Sequence, residues 1–493
     1  MNPKDPMQSA AGPSLSRRDF LWQSGGGLGG IAMASLFNSQ EQARANDGAL
    51  AAVPKAKRVV QFFMAGAASH LDLFDFKPEL VKHHGKPSDF GEPVEAFQNG
   101  LGPWLKPIWD FQPHGACGKL LGEPVSALGS VVDEIAFIHN MVSKSGVHSA
   151  ATLLQATGFQ LPGFPGAGCW VSYGLGSMNE NLPAYVVMPD HRGYASNGLK
   201  NWDSAFLPAQ HSGTVIYPGT ETPIADLFPH KSGKFVSAEG EAEGRRVLDA
   251  LNRRHALERA GDQRLDARIR SYELAARMQL AAPEALGLKD EPAHVLRLYG
   301  LEGGPQTWPK EINDLEETFY FSQRCLAARR LLERGVRFIQ IYSGGNHNDS
   351  NWDAHGDLVK NHEYHAGNTD KPIAGLLKDL KQRGLLDETL VVWGGEFGRQ
   401  PTAEYATGTG RDHNSAGFTM WMAGGGVKSG VSYGETDELG NRAVTHRTEV
   451  KELHSTILTL MGIDPNALSF FYGGLDQKLV GVEGAEPIRA ILA

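Results

Sequence analysis

The sequence predicts an α/β fold, a three-layer sandwich around a mainly parallel central sheet with a helical insertion. Three observations carry this. Short apolar runs recur along the chain without polar alternation, so each strand is buried on both faces. Helical stretches separate these runs, as parallel crossovers require. One long charge-rich stretch, residues 239–286, breaks the alternation and reads as a helical hairpin or cap inserted over about 239–310.

Residues 57–66 read as a first buried strand ending in glycine, and residues 131–138 as a second. A helix starts near Ser149, and 184–188 is a strand. Residues 311–334 form a long amphipathic helix, closed by Gly335 and feeding a strand at 336–342. A helix over 373–383, closed by Gly384, leads into a strand at 389–393. A strand at 419–423 and a helix at 450–461 complete the order. In such sheets, ligands sit beyond the carboxyl ends of the strands, so the loops there are the place to look for chemistry.

A chain of 493 residues with net charge -9 holds one large domain or two ordinary ones, and has no basic block for nucleic acid. The first 45 residues read as a targeting segment, leaving 46–493 as the folded domain. Ser16-Arg17-Arg18-Asp19-Phe20-Leu21 is a twin-arginine signature, followed by a Gly/Ala-rich apolar stretch and the small-x-small site Ala43-Arg44-Ala45. The expected location is periplasmic or extracellular. No later stretch approaches the roughly 18–20 apolar residues of a membrane span. Cys117, Cys169 and Cys325 fit no zinc knuckle or redox pair and read as small buried apolar residues.

Four loops beside strand ends are dense in His, Asp and Glu. They are Ser69-His70-Leu71-Asp72, the segment from His347 through Asp353-Ala354-His355, Gly394-Gly395-Glu396-Phe397-Gly398-Arg399, and Arg411-Asp412-His413. Imidazole with carboxylate suits zinc, manganese or iron, whereas carboxylate alone suits calcium. The candidate ligands are His70, Asp72, Asp353, His355, Glu396, Asp412 and His413, holding one or two divalent ions, with zinc first. His148-Ser149 opens a helix, where backbone N–H groups favour an anion and the hydroxyl could attack. The simpler reading makes Ser149 a helix cap. Arg399 and Arg411 are candidate clamps for a tetrahedral oxyanion, or else structural partners of nearby carboxylates.

The order of these pieces resembles the exported family catalogued as domain of unknown function 1501. The matching stretches are the twin-arginine motif, residues 66–75, 352–356, 384–399 and 410–413, and Ala423-Gly424-Gly425-Gly426-Val427-Lys428-Ser429-Gly430. That family is similar in fold to the alkaline phosphatase and sulfatase superfamily, so the resemblance implies an alkaline-phosphatase-like sandwich. It places Ser149 at the attacking serine, with His148 before it. It places Asp353 and His355 in a metal-supplying loop, Glu396 at an Asp-His ligand pair, and His413 at the late ligating histidine. The pattern departs in two places. The first strand ends in Met64-Ala65-Gly66 where the superfamily has a ligand Asp, so Asp72 or His70 would have to substitute; and Phe397 stands where the pair has its imidazole. No Cys or Ser stands in a C/S-x-P-x-R context, so the formylglycine mechanism is not expected.

The leading expectation is an exported, metal-dependent hydrolase of phosphate or sulfate esters, acting on a small molecule or a polysaccharide. Ser149 or a metal-held hydroxide would attack. The alternatives are a binding or scaffold protein on a degenerate hydrolase fold, recognising sulfated polysaccharide, and a group transferase whose helical insertion excludes water.

Overall fold

The structure, a computed structural model, describes residues 53–91, 94, 96, 100–225, 227, 237–259, 263–288, 290–302, 319–345, 350–405 and 408–493. The twin-arginine segment, residues 311–318 of the expected long helix, and His347 lie outside the described residues.

The central sheet contains β1 (Arg58–Met64), β2 (Ile135–Val142), β3 (Tyr185–Met188), β4 (Thr214–Val215), β5 (Phe338–Ser343), β6 (Thr389–Gly394), β7 (Phe418–Ala423), β8 (Val431–Tyr433) and β9 (Thr448–Glu449). Their spatial order is β8-β2-β7-β6-β1-β5-β3-β4, with β9 also pairing to β2. β1 lies mid-sheet, parallel to β5 and β6, with Val60 opposite both Ile339 and Val391. β7 alone runs against its neighbours β2 and β6.

Seven helices matter below: α1 (His148–Thr157), α2 (Ala167–Leu175), α3 (Ala238–Leu257), α4 (Gln263–Leu286), α5 (Tyr320–Glu333), α6 (Leu358–Gln382) and α7 (Val450–Leu460). Alternate side chains of a strand point to opposite faces. Along β1, Val60, Phe62 and Met64 enter one core with Leu326, Leu331, Leu376 and Leu377 of α5 and α6. Val59 and Phe63 enter a second core with Trp170 of α2 and Leu453 and Ile457 of α7. Burial on both faces explains why the strands read as unbroken apolar runs.

Two expectations about elements are corrected. Residues 131–134 belong to 3-10 turns over Glu123–Glu134, and the strand starts only at Ile135. Val131 and Val132 point into the core there, and a short apolar run reads the same in a strand or a helical turn. The helix expected at 373 begins at Leu358 and runs through Pro372. Proline lacks the N–H that continues a helix, so sequence alone stops there. Packing of Ala366, Ile373, Leu376, Leu377 and Leu380 into the core carries the helix across it.

The helical stretch forms the expected pair, α3 and α4. The C-terminal half of α4 is built into the core through Met278, Ala282, Ala285 and Leu286. Buried ion pairs strengthen this region, with Arg329 of α5 reaching Glu291 at 2.6 Å and Asp379 at 3.1 Å. Among the described residues, no helix is long and apolar enough to cross a membrane. Cys169 and Cys325 are buried free thiols, as expected, whereas Cys117 is exposed.

Asp370 on α6 ties the 3-10 turns down by accepting from the N–H groups of Ala127 at 2.6 Å and Leu128 at 2.9 Å. Replacing it with alanine leaves two donors without a partner in a largely buried setting, which costs about 2–4 kcal/mol. Asp370→Ala should therefore lower the free energy of unfolding, read by denaturant titration, by that amount, while Asp370→Asn, which keeps one acceptor, should lose less.

Candidate active site

The site forms at the carboxyl edge of the sheet. β1, β2, β5 and β6 all deliver loops to that rim. β7 delivers the segment before it, because it runs the other way. Gly66, just past β1, has φ +95°, and a Cβ there would lie 2.6 Å from both the Asn351 Oδ1 and the Asp353 backbone nitrogen. Only glycine lets the first loop press against residues 351–353 in this way. Asn351 Oδ1 then accepts from Asp353 N–H at 2.9 Å and sets the turn that presents the Asp353 carboxylate.

Three imidazoles converge on that carboxylate. The ligand atoms of His148, Asp353, His355 and His413 all lie within 4.8 Å of one another. Asp353 Oδ1 is 2.9 Å from His355 Nε2 and 3.2 Å from His413 Nε2. Asp353 Oδ2 is 3.2 Å from His148 Nε2, without the alignment of a hydrogen bond. His355 Nε2 and His413 Nε2 lie 3.0 Å apart.

The far side of each ring fixes its tautomer. His413 Nδ1 is 2.7 Å from the Gly146 carbonyl, which can only accept, so this nitrogen carries the proton. His355 Nδ1 donates to Glu404 Oε2 at 2.5 Å. His148 Nδ1 donates to Glu396 Oε1 at 2.7 Å, and the same oxygen accepts from Gly66 N–H at 2.9 Å. With the outer nitrogens as donors, three Nε2 atoms turn toward one carboxylate, and any of them left unprotonated presents a lone pair to it. Such lone pairs repel at 3 Å unless a cation sits among them. Imidazoles whose outer nitrogen is tied to a carboxylate or carbonyl are the arrangement metal sites use.

The electrostatics agree. Burial would push Asp353 up, but the Arg399 guanidinium and the three imidazoles hold it well below the usual carboxylate range. Burial also opposes charge on His148, yet its contacts to Asp353 and Glu396 raise it to about 9. Burial lowers His413 to about 4, with Arg399 and His148 adding to the effect against the pull of Asp353. The cluster draws in one positive charge, and without another cation a proton on His148 supplies it. The side chains of His148, His355 and Asp353 keep 21%, 15% and 11% exposure, so the cluster is reachable from solvent.

The remaining candidates are placed differently. Arg399 is fully buried. It donates through Nε to the Ala67 carbonyl at 2.9 Å, through Nη1 to the Arg411 carbonyl at 3.1 Å, and through Nη2 to Asp353 at 2.7 Å and to the Gly66 carbonyl. Arg411 forks onto Asp72 at 2.7 and 3.2 Å and also donates to the carbonyls of Gln400, Leu105 and Lys106. Asp72 is thus spent on Arg411, Ser69 and the Ile108 N–H, away from the cluster. The guanidiniums brace loops here, so neither is open to clamp an oxyanion. His70 is buried near Gly440 and Asp75 and does not join the cluster, and burial lowers it to about 4. Glu396 contacts the cluster only through His148, and its Oε2 is buried without a hydrogen bond. Asp412 groups with His355 and Glu404, behind the first cluster. Phe397 packs against His148 and His413, at 5.0 and 4.6 Å between ring centroids. Ser149 follows His148 on the first turn of α1, exposed. The cap residue is Val147, so Ser149 is not the cap.

Sequence reading missed Glu404. It sits past β6 in a Tyr/Gly-rich loop that shows no motif, and only its hydrogen bond to His355 reveals it.

No curated protein matches the chain. Among solved structures, a phosphonate monoester hydrolase, SpPMH from Silicibacter pomeroyi, is similar at 12% identity over 75% of this chain and 71% of that one, with a TM-score of 0.34. The PsFucS1 sulfatase from Pseudoalteromonas sp. is similar at 12% identity over 88% and 72%, TM-score 0.31. An alkaline phosphatase from the Antarctic bacterium TAB5 is similar at 11% identity over 84% and 99%, TM-score 0.31. All three are of the alkaline phosphatase and sulfatase superfamily. The chain itself belongs to the family described as protein of unknown function DUF1501, which it matches over residues 56–492.

The Asp72–Arg411 pair generates a pH prediction. Burial would raise Asp72, but the charge and hydrogen bonds of Arg411 lower it overall. A depressed carboxylate contributes stability that is present above its unfolded value of about 3.9 and lost as the pH falls through the lower folded value. Asp72→Asn should therefore flatten the acid limb of the stability–pH profile. It should also destabilise the fold by about 3–5 kcal/mol at neutral pH, because Arg411 is left buried and unpaired.

Proposed function

We propose that this chain is an exported, metal-dependent hydrolase of phosphate or sulfate esters. One observation carries the reading: three imidazoles aim Nε2 at the Asp353 carboxylate while their outer nitrogens are tied to Glu396, Glu404 and the Gly146 carbonyl. The three edges among Asp353 Oδ1, His355 Nε2 and His413 Nε2, 2.9 to 3.2 Å, approach the roughly 3.3 Å edge of a tetrahedron with 2.0–2.1 Å bonds. Three imidazoles and one carboxylate suit zinc, and manganese or iron next.

His148, Asp353, His355 and His413 would hold the ion. A bound divalent cation would neutralise the ester's non-bridging oxygens and so make the central phosphorus or sulfur easier to attack. Glu396 and Glu404 would keep His148 and His355 turned inward, and Arg399 would hold Asp353 against the first loop. Ser149 is the candidate nucleophile, adjacent to His148 at the N-terminus of α1, where backbone N–H groups favour an anion. Its oxygen would bond to phosphorus or sulfur as the ester oxygen leaves with a proton, and water would then return the serine. The twin-arginine segment fits, because that route carries folded chains that can load metal beforehand.

A second reading, a binding protein for sulfated polysaccharide on the same fold, draws on Asp72. With β1 ending in Met64 and Asp72 committed to Arg411, the first loop offers no second carboxylate to the cluster.

The test is elemental analysis of the purified chain together with turnover of aryl phosphate and aryl sulfate. About one divalent ion per chain is expected, lost in His355→Ala along with turnover. Ser149→Ala should keep the ion and lose turnover. Glu404→Gln should weaken metal affinity about 10–100-fold. A chain that holds the ion but turns over neither ester, and retains sulfated polysaccharide, supports the second reading. A chain that never holds an ion removes both the hydrolase and its cofactor.

A further inference from the structure

Helix α3 is amphipathic in the wrong direction for a monomer. The side that keeps partial burial is polar, with Arg245, Asp249 and Asn252, and Arg245 reaches Gln279 of α4 at 2.6 Å. Its large apolar residues are exposed. Val247, Leu248 and Leu251 are 53%, 40% and 59% exposed. A surface helix normally buries its apolar stripe and wets its polar one. Among the described residues nothing covers that stripe, so the twenty-residue helix draws little stability from them.

The exposed stripe has the form of a helix-pairing seam. Gly240, Gly244, Val247 and Leu251 follow each other at steps of four, three and four residues, the spacing of a coiled-coil contact line. A Cβ on Gly244 would meet nothing within 4 Å. Nothing among the described residues therefore requires glycine there, although it costs about 1 kcal/mol relative to alanine inside a helix. Small residues on a seam let a facing helix approach closely.

The charges indicate which helix would face it. Exposed Glu243 flanks the seam near one end, and exposed Arg254 lies near the other. Their partners at present are neighbours on the same helix, Arg246 at 3.1 Å and Glu258 at 3.3 Å, all solvent-exposed. A two-fold axis crossing the exposed stripe at the height of residue 249 would bring Val247 of one copy onto Leu251 of the other, Arg254 over Gly244, and Glu243 beside Arg254. The surface is complementary to itself under that operation, as an isologous interface must be.

We propose that α3 is a dimerisation element, on which a second copy of this chain docks by antiparallel pairing of the two α3 helices. The test uses the full chain in light scattering coupled to gel filtration, over a range of concentrations. The wild type should run as a concentration-dependent dimer. The V247E/L251E variant should be monomeric, with unchanged circular dichroism and thermal unfolding. Glu243→Arg alone and Arg254→Glu alone should each weaken the dimer by about tenfold. The E243R/R254E double variant should recover it, since the swapped charges meet again across the axis. A wild type that stays monomeric, a dimer indifferent to V247E/L251E, or a double variant no better than the singles overturns the proposal.

Discussion

The carboxylate of Asp353 receives the Arg399 guanidinium at 2.7 Å and at the same time faces the Nε2 atoms of His148, His355 and His413. Nearly everything around it exists to hold that crowding in place. Gly66 packs the first loop against it, Asn351 turns it inward, and Arg399 ties it to the carbonyls of two other loops. Behind the imidazoles, Glu396, Glu404 and the Gly146 carbonyl prevent the rings from turning away to find partners of their own. Lone pairs brought this close are unfavourable in isolation. Their persistence in a braced framework is the mark of a site organised around a positive charge.

The sheet explains how five distant segments reach one point. Strands running the same way deliver their loops to one rim. β7 runs the other way, and for that reason it is the segment before it, with Arg411, Asp412 and His413, that arrives there. His413 then pairs across to Arg399 in a short antiparallel bridge, which links the β6 loop to the β7 entrance.

Much of this was legible in residue pattern. The strands were readable because burial on both faces demands apolar runs, and the rim followed from strand order alone. Asp353, His355 and His413 were readable as ligand-type residues at strand ends, and the structure brings them together with His148. Asp72, His70, Arg399 and Arg411 were equally eligible by type. What separates them is pairing over hundreds of residues, such as Arg411 with Asp72 or Arg399 with Ala67, and no local pattern encodes that. Glu404 was invisible for the same reason. Pro372 and the Val131–Val132 pair misled because core packing overrode local preference.

The full commitment of Arg399 and Arg411 to their own chain has a consequence for the sequence of events at the site. Both guanidiniums are fully buried against their own chain, while the carboxylates of Asp353, Glu396, Glu404 and Asp412 lie at or behind the rim. An ester bearing negative oxygens would meet a repulsive field unless a cation had arrived first. On the proposed hydrolase reading, loading would therefore be ordered: the ion would not merely activate a substrate already seated but would make the seat attractive to an anion.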